Sequence, residues 1–285
     1  MPDIYYIDGE FVPAGRASLP VDDLAILRGY GVFDFLRTYG GKPVFLSDHV
    51  ARLQHSAAQI GLELPWHPQH IIDLVLKTLA RNSHPESNIR IVATGGSSPD
   101  FITPSGHPRL LILVTALMKT PQWWYRRGVN IITLHVRRSF PGAKSIDYIP
   151  ATLALKTARR NDAIEAVYLD QSDRVLEGTT SNIFAFFGNR LVTPDKKILS
   201  GVTRKNIMRL AGELYALEVR QISREELLRA SEIFITSTNK GVVPVVRVDE
   251  TVIGQGAPGR CTLKLMDAFK AHTMRLAESY GDGSC

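Results

Sequence analysis

The chain has 285 residues, 44% of them hydrophobic and 22% charged, with a formal net charge of +6. A composition this close to the globular average excludes a disordered chain, which could not bury enough apolar surface to offset its ordering entropy. No apolar run reaches the roughly 18 residues of a membrane-spanning helix, and the basic residues are scattered rather than gathered into a nucleic-acid-binding face.

Residues 1–5 show no basic run leading into an apolar core, so no export signal is expected and the expectation is a soluble, cytoplasmic protein without membrane or nucleic-acid partners. In that compartment the two cysteines, Cys261 and Cys285, are expected to stay reduced.

Residues 4–12 and 32–39 alternate like strands, and Gly40-Gly41 marks a turn into residues 43–45. Ser47 is placed to cap a helix that turns Val50, Leu53, Ala57 and Ile60 to one face and stops at Gly61. A second helix is expected from Pro68, with Ile72, Val75, Leu76 and Leu79 as its inward stripe. Strands follow at 89–94 and 110–115, separated by a glycine- and proline-containing loop over 95–107 that suits a mobile gate. The aperiodic stretch around Pro121, Trp123, Trp124 and Tyr125 reads as a junction. It divides the chain into a small domain (1–117), a linker (118–127) and a large domain (128–285).

Beyond the linker, strands are expected at 129–136, 166–170, 183–187 and 233–236, and helices at 151–162, 203–217, 223–230 and 262–280. Ser223 and Glu226 have capping-box spacing, and Gly281 suits a helix stop. Strands and helices alternate irregularly, so the fold class is α+β rather than a doubly wound sheet.

The chain has no dinucleotide-binding glycine motif, no P-loop, no zincin pair and no nucleophile elbow. His67 and His70 lack a third ligand nearby, so no metal is expected. What remains is a series of polar blocks. Lys144 lies in Pro141-Gly142-Ala143-Lys144-Ser145, between a strand and a helix. Glu177 opens Glu177-Gly178-Thr179-Thr180-Ser181-Asn182 ahead of a strand. Gly201-Val202-Thr203-Arg204 precedes a helix, where N–H groups and a hydroxyl can face an anion. Thr236-Ser237-Thr238-Asn239 ends a strand in a hydroxyl-rich turn.

The order of these blocks, with Asp48-His49-Val50-Ala51-Arg52-Leu53, Ser56-Ala57 and Leu199-Ser200 before Gly201, resembles the class IV aminotransferases, over nearly the whole chain. That family comprises pyridoxal-phosphate enzymes with branched-chain, D-amino acid and aminodeoxychorismate-lyase members. The resemblance implies fold type IV, with a small α+β domain, a larger β-barrel-like domain and the cofactor at their junction, in a homodimer. Lys144 matches the lysine that tethers the cofactor reversibly and then acts as general base and acid. Lys156, its rival, sits in a helix beside Arg159-Arg160 on what reads as a solvated face. Glu177 resembles the carboxylate that keeps the ring nitrogen protonated. Arg52, Val202, Thr203 and Thr238 match the phosphate contacts, and Tyr148 the tyrosine facing the ring oxygen.

Substrate preference rests on the carboxylate trap. Asn88-Ile89-Arg90 occupies the place of the branched-chain enzymes' Tyr-Ile-Arg, while residues 33–37, ending in Arg37, partly resemble their Phe-Glu-Gly-Ile-Arg. Gly95 stands where the D-amino acid enzymes carry an arginine. Arg90 and Arg28, the latter on a loop that the family fold sends to the neighbouring subunit, form a substitute trap. The favoured expectation is a D-amino acid transaminase passing its amino group to a 2-oxo acid such as 2-oxoglutarate. An L-branched-chain aminotransferase and aminodeoxychorismate lyase are the alternatives.

Overall fold

A computed structural model describes residues 2–280. It resolves two compact units. The first takes in the chain up to Met118, the segment Gly142–Asp147 and the end from Thr273; the second takes in Lys119–Pro141 and Tyr148–His272.

The first unit opens with a hairpin of β1 (Ile4–Ile7) and β2 (Glu10–Pro13), where a single strand over 4–12 was expected. The chain reverses at Asp8 and Gly9, whose φ values of 46° and 110° give the two-residue turn that right-twisted strands favour. A short helix α1 (Leu24–Arg28), capped by the buried Asp23 carboxylate, leads into β3 (Gly31–Arg37). The next helix, α2 (Leu46–Gln59), is entered through Phe45, so Ser47 lies inside it rather than capping it. Val50, Leu53 and Ala57 are buried as expected. In α3 (Pro68–Leu79) the buried stripe is Ile71, Leu74, Val75 and Thr78, turned from the expected one, and Leu76 is exposed. His67 caps α3 with a ring nitrogen that accepts from the Gln69 N–H, which is a structural use for it. Strands β4 (Ser87–Thr94) and β5 (Arg109–Ala116) complete a sheet of order β2-β1-β5-β4-β3.

Alternation divides this sheet into two faces. Val32, Leu36, Ile89, Ile91, Leu110 and Ile112 pack with Val50, Leu53, Ile71 and Val75 into one core. Phe33, Phe35 and Arg37 stand on the other face, opposite Val92, Arg90 and Asn88 in the β3–β4 register.

In the second unit, α4 (Trp123–Arg127) and β6 (Val129–His135) precede α5 (Ile149–Arg160), β7 (Glu165–Leu169), β8 (Val175–Gly178), β9 (Asn182–Phe187) and β10 (Arg190–Thr193). Then come α6 (Val202–Gly212), β11 (Ala216–Val219), α7 (Arg224–Leu228), β12 (Glu232–Ser237), β13 (Gly241–Val248) and β14 (Thr251–Val252). The last helix, α8, is Arg260–Glu278; the expected stop at Gly281 and Cys285 lie outside the described residues, and Cys261 is a free thiol. The helix expected over 203–217 ends early because Ala216–Val219 pairs in parallel with β10. Ser223 does cap α7, its hydroxyl accepting from the Glu226 N–H.

The sheet runs β11-β10-β9-β12-β13-β6-β7-β8, with β14 on β13, and curls into a half-barrel. Ile131, Val167, Ile183, Ile235 and Val243 fill one core, while Phe184 and Phe234 stack at 4.9 Å on the alternate positions. This is the expected α+β class. No helix among the described residues is long and apolar enough to cross a membrane, and no group of three or more metal-binding side chains occurs among them.

Candidate active site

In the first unit, Lys144 is held by its backbone. Its N–H donates to the Ser56 hydroxyl at 3.1 Å, its carbonyl accepts from the Phe33 N–H at 2.9 Å, and the next residue bridges to Val32. Ser56 in turn donates to the Arg52 carbonyl one helical turn back, at 2.8 Å, so α2 sets Arg52 and Lys144 in register. The Lys144 amine lies 4.5 Å from the centre of the Phe33 ring, and the Arg90 guanidinium lies 5.0 Å from the same ring. Amine and guanidinium therefore lie no farther apart than those two distances together, on the sheet face away from the core. Lys156 is exposed on α5.

Two other arginines lie apart from that ring. Arg37 shares the face, but its guanidinium is over the Tyr39 ring at 4.6 Å and its Nε donates to the Thr38 carbonyl. Arg28 is the last residue of α1, exposed, with Nη1 donating to the Leu27 carbonyl.

Arg52 is buried, and its Nε and Nη2 donate to the two Asp34 oxygens at 2.8 Å each. This bidentate grip fixes the guanidinium fork on a partner with no solvent exposure. His49 joins through Nδ1, 2.7 Å from Asp34 Oδ1, while its Nε2 is buried without a hydrogen-bond partner. Burial pushes the Asp34 carboxyl up, but the Arg52 guanidinium, with His49 and the hydrogen bonds from both, holds it well below the usual carboxylate range. Burial also pushes His49 below its ordinary value, against the pull of Asp34, so its imidazole is neutral.

In the second unit, Glu177 lies one residue before the end of β8 and is nearly fully buried. Arg138 Nη1 donates to its Oε1 and, at 3.2 Å, to the Pro141 carbonyl. The other oxygen accepts from the Leu199 N–H at 2.9 Å and from Asn182 Nδ2 at 3.3 Å. Asn182 also donates to the Leu199 carbonyl, which ties the Glu177–Asn182 segment to the chain entering α6. Tyr168, on β7, is raised far above the ordinary tyrosine value by burial; Glu165, Glu177 and Tyr148 add to the rise and Arg138 opposes it.

The start of α6 has features that could hold an anionic group such as a cofactor's phosphate. Its N-cap is Gly201, which offers the first N–H groups no side-chain acceptor, so the N–H groups of Val202 and Thr203 are left to an anion. A Cβ at Gly201 would run into the Asn182 side-chain oxygen, which keeps the position glycine. The buried hydroxyls of Thr179 and Thr236 have no hydrogen-bond partner in the protein, and Thr238 follows at the end of β12. Phosphate donors at one end and a buried carboxylate near them suit a pyridine phosphate.

Lys144 and Arg90 thus share the Phe33 ring in one unit, where Arg52 is linked to Lys144 through Ser56 but is gripped by Asp34 on the core face, and Glu177, Val202 and Thr203 lie in the other unit. Sequence reasoning missed Arg138, Asp34 and Ser56 as supporting residues. Asp34 had a readable signal: β3 alternation puts it on the face of Val32 and Leu36, where a carboxylate is buried only if paired. Arg138 had none beyond its charge.

Residues 31–248 match the family model for amino-transferase class IV. A putative branched-chain-amino-acid aminotransferase of Methanocaldococcus jannaschii is 34% identical, covering 93% of this chain and 94% of its own length. A D-alanine aminotransferase of Staphylococcus epidermidis is 30% identical, with 94% and 96% covered. Among solved structures, the branched-chain aminotransferase of Thermoproteus uzoniensis with norvaline superimposes with a TM-score of 0.87 at 28% identity, covering 97% of this chain and 96% of that one. A branched-chain amino acid aminotransferase from T.th. with pyridoxamine 5'-phosphate gives 0.91 at 26%, covering 99% and 97%.

Proposed function

Since this chain belongs to the class IV aminotransferases, enzymes that use pyridoxal phosphate, we propose that it moves the amino group of a D-amino acid to a 2-oxo acid such as 2-oxoglutarate, as a homodimer. The observation that supports Arg90 as the carboxylate trap in this reading is the Phe33 ring shared by the Lys144 amine and the Arg90 guanidinium. A carboxylate gripped by Arg90 leaves the substrate Cα on the side of Lys144. Arg28 of one protomer serves the neighbouring protomer's site, as the second cation of the trap.

When bound, the cofactor draws electrons from the substrate Cα and makes its C–H acidic. In this reading Lys144 Nζ takes that proton and returns it later in the cycle. Glu177 holds a proton on the ring nitrogen, and Arg138, Leu199 and Asn182 fix its carboxylate. The N–H groups of Val202 and Thr203, the Thr238 hydroxyl and the Arg52 guanidinium hold the phosphate, and Tyr148 meets the ring oxygen.

The test is a half-reaction with the purified yellow protein, one amino acid at a time, following the visible absorption of the bound cofactor. D-glutamate or D-alanine is expected to bleach it while L-leucine does not. Arg90→Ala and Arg28→Ala are each expected to lower kcat/KM for the D-donor by about 10- to 100-fold, the worth of a charge-assisted contact. Bleaching by L-leucine or L-valine, with Arg90→Ala silent, would overturn the assignment.

That outcome is the second reading, an L-branched-chain aminotransferase, which the Methanocaldococcus jannaschii relative favours. Arg37, on the same sheet face, would then be the cation to substitute.

A further inference from the structure

Lys240 occupies the turn between β12 and β13, directly after Thr238 and Asn239. Its side chain is largely buried, and its amine donates to Glu165 Oε2 at 3.0 Å and to the Thr180 hydroxyl at 2.7 Å. Glu165, at the start of β7, has no solvent exposure. The same oxygen accepts from the Thr180 hydroxyl at 2.7 Å and the Ser181 hydroxyl at 3.1 Å. One ammonium and one carboxylate therefore join three elements: the start of β7, the residues between β8 and β9, and the β12–β13 turn.

The backbone of that turn is also held. Tyr125 donates through its hydroxyl to the Lys240 carbonyl at 2.8 Å, and Ser237 Oγ donates to Asn239 Oδ1 at 2.9 Å. On the other side, the Thr179 N–H donates to the Ala166 carbonyl and the Gly178 N–H to the Ser181 carbonyl. Residues 178–182 thus form a tight reversal anchored on β7, with Glu177 immediately before it. A buried ion pair is weak evidence of stability, because desolvation offsets much of its attraction, but it is well suited to fixing one arrangement. With a surface lysine in this position, the turn would keep its strands and the Tyr125 and Ser237 contacts but lose its side-chain link to Glu165 and Thr180.

We propose that Lys240 is a positioning residue for the cofactor. Its buried bridge to Glu165 and Thr180 fixes the turn carrying Thr238 relative to the segment carrying Glu177, and so sets cofactor affinity. The proposal rests on the reading above, in which Thr238 meets the phosphate and Glu177 the ring nitrogen. Lys240 touches neither substrate nor cofactor; it acts through the two residues that do.

The experiment compares wild type, Lys240→Met, the double variant Lys240→Met/Glu165→Gln, and Lys240→Arg, each as the full-length holoprotein. Two quantities are read: pyridoxal phosphate dissociation, from the loss of visible absorption on dilution, and the melting temperature with and without excess pyridoxal phosphate. The double variant leaves no unpaired buried charge, so it separates positioning from a folding defect. It is expected to bind the cofactor roughly tenfold more weakly, about the worth of one charged hydrogen bond, with KM for the amino donor unchanged. Lys240→Arg is expected to recover most of the affinity. Should Lys240→Met fail to fold, Thr180→Val, which removes one hydroxyl from the bridge, is expected to weaken the cofactor by about threefold. Cofactor affinity equal to wild type in the double variant, with melting lowered equally with and without the cofactor, overturns the proposal. If Thr238→Val and Glu177→Gln also keep wild-type affinity, the placement of the cofactor has failed and the proposal falls with it.

Discussion

Replacing Lys144 with alanine is expected to cut transamination by roughly 10⁴-fold, the scale of a lost proton shuttle, while leaving the fold in place. The expectation of an intact fold follows from the way the residue is held. The Lys144 N–H to Ser56 and the Lys144 carbonyl to Phe33 are backbone contacts, and alanine keeps both. What is removed includes the amine over the Phe33 ring, a cation–π contact worth about 0.5–1 kcal/mol at a partly exposed site. Thermal unfolding and the half-reaction, measured on the same sample, separate the two effects. Lys156→Ala is the control, since its side chain is exposed on α5 and should leave turnover unchanged. A Lys144→Ala protein that still turns over near the wild-type rate, or a Lys156→Ala protein that does not, would sink the assignment.

The candidate site was legible in the sequence where chemistry demands a residue type at a fixed place, and illegible where support comes from a distant partner. Lys144, Glu177 and the Gly201–Arg204 block stand in segments whose composition announces a turn, a strand entry or a helix start. Arg138 is 39 residues from the Glu177 that it grips, and Lys240 is 75 residues from Glu165, so neither pairing leaves a local pattern. The fold shows the same division. Apolar periodicity located β3, β4, β5 and α2, but α3 shows its limit. With apolar residues at 71, 72, 74, 75, 76 and 79, two stripes fit the helix, and packing against the sheet selects Ile71 and Leu74. Ala216–Val219 continued a helical pattern and became a strand because β10 offered a parallel partner. The Asp8–Gly9 turn is different, since that dipeptide is the strongest short hairpin signal and alternation alone hid it.

Asp34→Ala is expected to destabilise the protein by about 3–5 kcal/mol, because it strands the buried Arg52 guanidinium without its counter-ion. The loss belongs to the unpaired charge rather than to the pair. Asp34→Leu combined with Arg52→Met should therefore recover much of the stability, yet lose the arginine expected to meet the cofactor's phosphate. The acid limb of stability gives an independent measure. Both Asp34 and His49 have folded pKa values below their ordinary ones, so the unfolded chain takes up protons first and stability falls as pH falls. The His49 contribution is present above about pH 6.5, where an unfolded histidine begins to charge while the buried ring stays neutral. The Asp34 contribution is present above about pH 4 and is lost as pH falls through the depressed value of the folded carboxylate. Melting temperature followed from pH 8 down to about pH 3 should thus decline in two stages. Asp34→Ala should flatten the lower stage, and His49→Gln should flatten the upper one. An Asp34→Ala protein with wild-type melting and an unchanged acid limb would mean that the Asp34–Arg52 pair does not carry the strength its geometry implies.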